Sequence, residues 1–385
     1  VTSSTPPPPR TPVVSSRGPS VAGVASFLAS LTAKSPQLRG ELLLQRGAPP
    51  SGERLERMRH SPQWGGMVFR NRAVTHATAA VDQTSAFARW FQARTQQRPT
   101  VRVPLLRDAA DPVETDSLHV TWFGHASALV ELDGVRVLLD PVWSDRCSPS
   151  ARIGPRRHHA VPLPLADLGH IDAVVISHDH YDHLDMATVI ELVRVTTALF
   201  LVPLGIGAHL ERWGVPGHRF VELDWDESYE VGALRLTCVE SQHFSGRWLT
   251  RDETLWASWV LAGPHGRVYF SGDTGYFDGF GGIAEAYGPF DVALMAVGAY
   301  DPMWRAIHLD PEEAVKAAVD MGSPLLLPIH WCTFNLAPHP WAEPVERMLR
   351  AAEMAEVRAV IPRIGERVSV TAPPPLTPWW RPATV

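Results

Sequence analysis

Ala173-Val174-Val175-Ile176-Ser177-His178-Asp179-His180-Tyr181-Asp182-His183 sets an apolar, β-branched run directly before three imidazoles and the Asp182 carboxylate. The run is too brief for a free-standing helix and predicts a short buried strand with the histidine cluster at its carboxyl end. If the chain stays extended past Ser177, His178 and His180 project to the same side, because side chains alternate with period two, and together they can grip one cation. Asp182 and His183 follow the change of direction and lead into Leu184-Asp185-Met186-Ala187-Thr188-Val189-Ile190, which reads as a helix start capped by Asp185. A second cation is within their reach. Imidazole nitrogen and carboxylate oxygen bind zinc at about 2.0–2.2 Å and also suit manganese or ferrous iron. The alternative is a loop in which histidines crowd by accident, and the spacing His-x-His-x-Asp-His leaves it little room.

One strand end cannot close two metal sites, so later strand ends should supply the remaining ligands. His243 follows the alternating run Leu234–Glu240, Asp273 follows Arg267–Gly272, and His330 follows Leu325–Ile329. Gly272 and Gly275 flank Asp273 and leave room for close backbone approach. A single histidine after a strand is ordinarily a satisfied core or surface residue. Three polar residues, each directly after an apolar run, are what one rim of an α/β sandwich would present.

With these residues in order, the chain resembles the metallo-β-lactamase superfamily, and within it the N-acylphosphatidylethanolamine phospholipase D-like group. The closer likeness rests on Thr121-Trp122-Phe123-Gly124-His125-Ala126, Leu139-Asp140-Pro141-Val142, Gly154-Pro155-Arg156-Arg157, Ser241-Gln242-His243, Gly272-Asp273-Thr274-Gly275-Tyr276, His308-Leu309-Asp310-Pro311 and Ile329-His330-Trp331, blocks that span about residues 118 to 335. The resemblance implies an α/β fold, a four-layer αβ/βα sandwich of two mixed sheets flanked by helices, with two divalent metal ions at one edge, zinc first and manganese or ferrous iron as alternatives. It implies that His178, His180 and His243 hold one ion, Asp182, His183 and His330 the other, and that Asp273 bridges them. His308 would face the substrate phosphate as donor or acid, so that Asp182, Asp273 and His308 are the catalytic candidates.

Asp140, ending the strand-like run Val135–Leu139, is either the carboxylate that orients a metal-bound histidine or a turn residue before Pro141. Tyr181 and His125 either line the pocket or support it. Cys332, two residues beyond His330, is either a ligand or a small buried residue. Arg152, Arg156 and Arg157 form either a local basic patch or a solvated loop. The tryptophans Trp248, Trp304, Trp331 and Trp341 suit a lipid-facing pocket mouth or plain core packing.

A chain of 385 residues, 20% charged, can bury one large core. The organisation expected is a Pro/Ser-rich tail with a short apolar helix over 1–50, an arm packing on the core over 51–100, the catalytic domain over 101–370 and a tail over 371–385. The apolar stretch Val21–Ala33 is too short to span a bilayer; a secretory signal, a docking helix and a membrane-surface anchor stay open. Three separated cysteines form no disulfide framework and favour a reducing, cytoplasmic compartment. The net charge of −6 argues against nucleic acid as a partner. The expected partner is a small-molecule or phospholipid substrate, with peripheral membrane contact and a homodimer as further expectations.

Two neighbouring cations lower the pKa of a shared water, so that hydroxide exists near neutral pH. The reaction the resemblance implies is phosphodiester hydrolysis by that bridging hydroxide, preferably of an N-acylphosphatidylethanolamine or related phospholipid, releasing the alcohol and a phosphatidic acid. One departure from the group lies at Ile307, where a polar residue is expected. The rival readings are a lactonase, including a sugar-phosphate lactonase, of the same superfamily, and a non-enzymatic metal-stabilised scaffold. A serine nucleophile is disfavoured: no Gly-x-Ser-x-Gly occurs, and Gly124-His125-Ala126-Ser127 is expected within a strand.

Overall fold

The computed structural model describes residues 36–72, 97–107, 117–247 and 250–381. The chain falls into two units, 1–40 and 41–385. Of the first only residues 36–40 are described, as the opening of helix α1 (Pro36–Gln45). The apolar stretch Val21–Ala33 lies outside the described residues, as do residues 73–96 of the expected arm. Its opening forms helix α2 (Gly52–Arg59), with Met58 buried.

In the larger unit, strands β1 (His119–Gly124), β2 (Ser127–Leu132), β3 (Val135–Leu139), β4 (Ala173–Val175), β5 (Leu199–Pro203) and β6 (Phe220–Leu223) join β13 (Arg367–Ser369) in one seven-stranded sheet. Strands β7 (Ser228–Val231), β8 (Leu234–Val239), β9 (Ser258–Gly263), β10 (Gly266–Phe270), β11 (Val292–Ala296) and β12 (Leu325–Ile329) form the second, six-stranded sheet. Both sheets are mixed: β3 to β6 run parallel, as do β10 to β12, and the remaining pairs are antiparallel.

Alternation in the strands builds the layers. Val137, Leu139, Ala173 and Val175 join one buried cluster with Leu236, Val260, Val268 and Leu294 of the second sheet. Leu138, Val174, Ile176 and Phe200 face the other way and pack with residues of α3 (Met186–Val195) and α4 (Gly207–Arg212). The outer side of the second sheet is covered by α5 (Phe280–Tyr287), α6 (Pro311–Asp320) and α7 (Glu343–Met354), which contribute Phe280, Ala314, Val345 and Met348 to the core. This is the four-layer sandwich. Beyond β13 the described residues contain no helix or strand, yet Trp380 is buried against Trp331 and donates to Glu346 Oε1 at 2.7 Å. Trp331 also stacks on Trp122 at 5.5 Å, so Trp331 and its buried neighbour Trp341 belong to the core; Trp248 lies outside the described residues.

One element differs from the expectation. Gly124-His125-Ala126-Ser127 is the turn between β1 and β2, with Gly124 at φ +100° and His125 at φ +52°. A left-handed conformation at a histidine is uncommon. It is fixed here by the His125 N–H, which donates to Thr333 Oγ1 at 2.7 Å, a partner 208 residues away.

Candidate metal centre

The predicted strand before the histidine cluster is short. β4 ends at Val175, Ile176 N–H still bonds Leu201 O at 3.1 Å, and the chain then leaves the sheet. Asp185 caps α3 and accepts from Ala187 N–H, which fixes where the loop must end. The ligand candidates from the second sheet sit in the loops that follow β8, β10 and β12. His330 has φ +65°, which turns the chain as soon as β12 ends. Gly272 and Gly275 fit the close approach expected of them: a Cβ at Gly272 would meet Ser177 Cβ at 2.5 Å, and one at Gly275 would meet Ala306 O at 2.2 Å.

Two four-membered groups of donor atoms result, each with its members within 4.8 Å of one another: His178, His180, His243 and Asp273, and His125, Asp182, His183 and His330; a third group, of Asp273, His308 and His330, overlaps them. Asp273 belongs to both neighbourhoods. Its Oδ2 lies 3.2 Å from His183 Nε2, 3.9 Å from His178 Nε2 and 3.8 Å from His243 Nε2, and its Oδ1 lies 3.1 Å from His330 Nε2. Asp182 Oδ2 stands 3.5 Å from His183 Nε2 and 3.3 Å from His330 Nε2. A tetrahedral site with arms of about 2.0 Å spaces its donors about 3.3 Å apart. Most of these separations fall near that value; the His178 Nε2 to His180 Nδ1 pair, at 2.7 Å, is tighter.

The ring atoms turned away from the centre are held. His183 Nδ1 is 2.7 Å from Asp140 Oδ2, whose carboxylate also accepts the Ser177 N–H at 2.7 Å and hydroxyl at 2.5 Å. Asp140 therefore occupies the orienting position rather than a plain turn. His178 Nδ1 meets Ser177 Oγ at 2.9 Å, and His243 Nδ1 meets Ile307 O at 2.8 Å. Such partners fix ring orientation and tautomer.

Electrostatics favour positive charge between the carboxylates. Burial opposes ionisation of Asp182 and Asp273, but the surrounding histidines outweigh it and hold both well below the carboxylate range. Burial likewise opposes charging His183 and His330, and the carboxylates outweigh it, lifting His183 well above its ordinary value and His330 to about 9. Burial dominates elsewhere: His178 and His243 fall well below the ordinary histidine value, and His308 falls to about 4. The first group is thus rich in neutral imidazoles, the form that binds metal. Asp273 Oδ1 is buried against His330 Nε2 at 3.1 Å without a well-aligned hydrogen bond among the described residues, so the charge of a cation is what this oxygen is placed to meet. The donor set fits divalent metal.

His308 reaches the edge of the centre, with Nδ1 4.0 Å from Asp273 Oδ2 and no hydrogen-bond partner for that atom among the described residues. Cys332 is buried and falls outside both donor groups, in keeping with the small-residue reading. Tyr181 lies beneath the Arg247 guanidinium, 4.0 Å from its ring centre. His125 is where the sequence reading was least informative: its Nε2 stands 2.9 Å from Asp182 Oδ2 and its ring 4.0 Å from that of His330. Asn71 was not anticipated at all. Its side chain holds the backbone of His243 from both sides, donating to His243 O at 2.8 Å and accepting from His243 N–H at 3.1 Å.

Residues 135–331, which include every one of these donors except His125, match the family model described as the beta-lactamase superfamily domain. The chain belongs to the β-lactamase superfamily. Among superfamily relatives, the uncharacterized protein Rv0906 of Mycobacterium tuberculosis is 55% identical over 287 residues, covering 74% of this chain and 77% of its own. The N-acyl-phosphatidylethanolamine-hydrolyzing phospholipase D 1 of Caenorhabditis elegans is 37% identical over 247 residues, 61% of this chain and 69% of that protein. Igni18, a metallo hydrolase from the archaeon Ignicoccus hospitalis, superposes with a TM-score of 0.52 at 25% identity, over 66% of this chain and 98% of that one. The protein is accordingly a metallo-hydrolase of the β-lactamase superfamily. No helix among the described residues is long and apolar enough to cross a membrane.

Proposed function

We propose that the protein is a phosphodiesterase of phospholipase D type that hydrolyses N-acylphosphatidylethanolamine-like phospholipids. The observation that carries the reaction class is the meeting of two donor groups at Asp273, because a paired clamp suits in-line displacement at phosphorus. The lipid is supported by the printed activity of the nematode relative. Divalent ions, zinc being the choice these ligands suit best, would supply an acidified water and a positive field for the phosphoryl oxygens.

The chain's own residues do the rest. Asp273 and Asp182 balance positive charge at the centre, and Asp140 and Ser177 hold the His183 and His178 rings in register. His308, neutral near pH 7 because burial lowers it to about 4, turns Nδ1 toward the centre and can present a proton there to a phosphoryl oxygen. In the overall reaction water's oxygen joins phosphorus, the bond from phosphorus to the N-acylethanolamine oxygen breaks, and water's proton passes to that alcohol.

The test is turnover of a dispersed N-acylphosphatidylethanolamine in 18O-water by metal-loaded protein, beside a chromogenic phosphodiester, a lactone and a cephalosporin. Label in phosphatidic acid is expected. Lactone opening with no phosphatidic acid formed would overturn the reading.

A further inference from the structure

A groove of about 960 Å³ lies beside the metal centre, and its lining includes Arg98, Arg102, Arg146, Arg156 and Arg157. No carboxylate is among its described lining residues. Among the described residues Asp145 is ion-paired to a lining arginine, binding Arg156 Nε at 2.7 Å, and Asp185 acts on Arg157 without a direct ion pair. Gathering five guanidiniums around one concavity is unfavourable by mutual repulsion, and it runs against a chain whose net charge is −6. An anion relieves that repulsion.

Arg157 is the built part of the groove. It is only 8% exposed, donates through Nε to Ser144 O at 3.0 Å and through Nη2 to Val142 O, and stacks over Phe334 at 5.2 Å. Its Nη1 is buried with no hydrogen-bond partner among the described residues. That atom is closed to solvent, so Arg157 bears on the groove through its buried positive charge, which a phosphate-class anion complements. The remaining walls include two neutral imidazoles: burial, with the neighbouring arginines, lowers His158 to about 4 and His159 to about 3, and both ring nitrogens of His159 are engaged, by Ala160 O and Thr333 Oγ1, each at 2.9 Å.

The groove connects with the centre through named contacts. His159 Nε2 lies 2.9 Å from Thr333 Oγ1, the hydroxyl that accepts from His125 N–H. The Phe334 ring beneath Arg157 stands edge-on to His125 at 5.2 Å. His158 and Asn335 line both the groove and a smaller cavity that reaches His330.

We infer that this groove is an anion subsite that takes a phosphate-class group, either free phosphate or the phosphate of a lipid headgroup, next to the metal centre. The recognition is by Arg157 from below and by the exposed Arg98, Arg102 and Arg156 from the rim. It is independent of which bond the centre hydrolyses.

Phenylglyoxal labelling of the purified, metal-loaded full chain, resolved by peptide mass spectrometry, reads each arginine separately. Inorganic phosphate forms one arm, dihexanoylphosphatidic acid below its micelle concentration a second, and chloride at matched ionic strength the control. At about ten times the half-protecting concentration, labelling of Arg98, Arg102 and Arg156 should fall about tenfold, while Arg235, exposed on β8, stays unchanged. Protection by phosphate means the free anion suffices; protection by the lipid alone means the headgroup is read with its glycerol. Arg157→Gln and, for a change that leaves the interior untouched, Arg102→Ser should each raise the half-protecting concentration about tenfold, as expected for the loss of one nearby positive charge. Rim arginines that do not label at the outset, labelling that neither anion lowers, or equal loss at Arg235 would overturn the inference. None of these outcomes involves turnover, so failure here and failure of the phospholipase reading are separate results.

Discussion

Asp273 is the side chain on which most of the centre depends, since its two oxygens lie within 4.0 Å of His178, His183, His243, His308 and His330. Asp273→Asn keeps the shape and removes the charge. We expect turnover to fall by roughly three orders of magnitude or more, with metal content reduced at both positions by elemental analysis and circular dichroism little changed; undiminished turnover would contradict the shared role. His125 makes a narrower claim. Its contact with Asp182 is the kind of supporting bond whose loss typically costs about 10–100-fold in metal affinity. His125→Asn is the informative change, because asparagine tolerates the left-handed backbone found there while failing to reach Asp182. Acidity follows from the same residues. In metal-free protein the lifted His330 stabilises the fold fully below its unfolded value near 6.5 and loses that contribution as pH rises through about 9. Asp182 and Asp273, held low, contribute above about 3.9 and lose it on acidification. Because a metal must displace protons from His183 and His330, apparent affinity should rise from about pH 6 toward 9 in a chelator competition titration; a flat profile would contradict the charge assignment.

At the scale of elements, the metal loop is held from below by Arg247. This fully buried guanidinium donates through Nη1 to Asp179 O at 2.7 Å and Leu184 O at 2.8 Å, and through Nε and Nη2 to Gln45 O at the end of α1. Arg247→Met would strand these carbonyls and should cost about 3 kcal/mol, measured as a lower urea midpoint at unchanged slope. None of this clamp is legible in the sequence: its partners lie up to 202 residues apart, and nothing local marks position 247. What was legible is the part that local periodicity controls. Val135–Leu139 and Leu325–Ile329 read directly as β3 and β12, and the helix start at Leu184-Asp185-Met186 reads as α3, whose Asp185 cap accepts from Ala187 N–H at 3.3 Å. The histidine motif and the polar residue after each later strand were visible for the same reason. The turn at His125 was misread because a tertiary hydrogen bond, not a turn dipeptide, selects its backbone. Asn71, and the role of Asp140 as an orienting group rather than a turn, likewise rest on partners the string does not reveal.

Over the whole molecule, the donors are divided between the two sheets. His125, His178, His180, Asp182 and His183 follow strands of the seven-stranded sheet, and His243, Asp273 and His330 follow strands of the other. The sheets meet through an apolar interior along their length, but at this rim they meet through carboxylates and imidazoles whose charges need a counter-ion. Divalent metal held there by these residues would act as a cross-link between layers, and its binding energy would also be folding energy. At free metal a thousandfold above Kd that linkage is worth about 4 kcal/mol, which for a chain of this length corresponds to roughly 5 °C in Tm. Scanning calorimetry before and after dialysis against a chelator should show that drop, restored on adding zinc. Asp273→Asn should begin near the lower temperature and respond little to zinc, because it removes the residue the two groups share. A Tm indifferent to chelator, in protein shown by elemental analysis to have lost its metal, would mean that the rim holds together without the cross-link and that the two sheets are joined by their apolar faces alone.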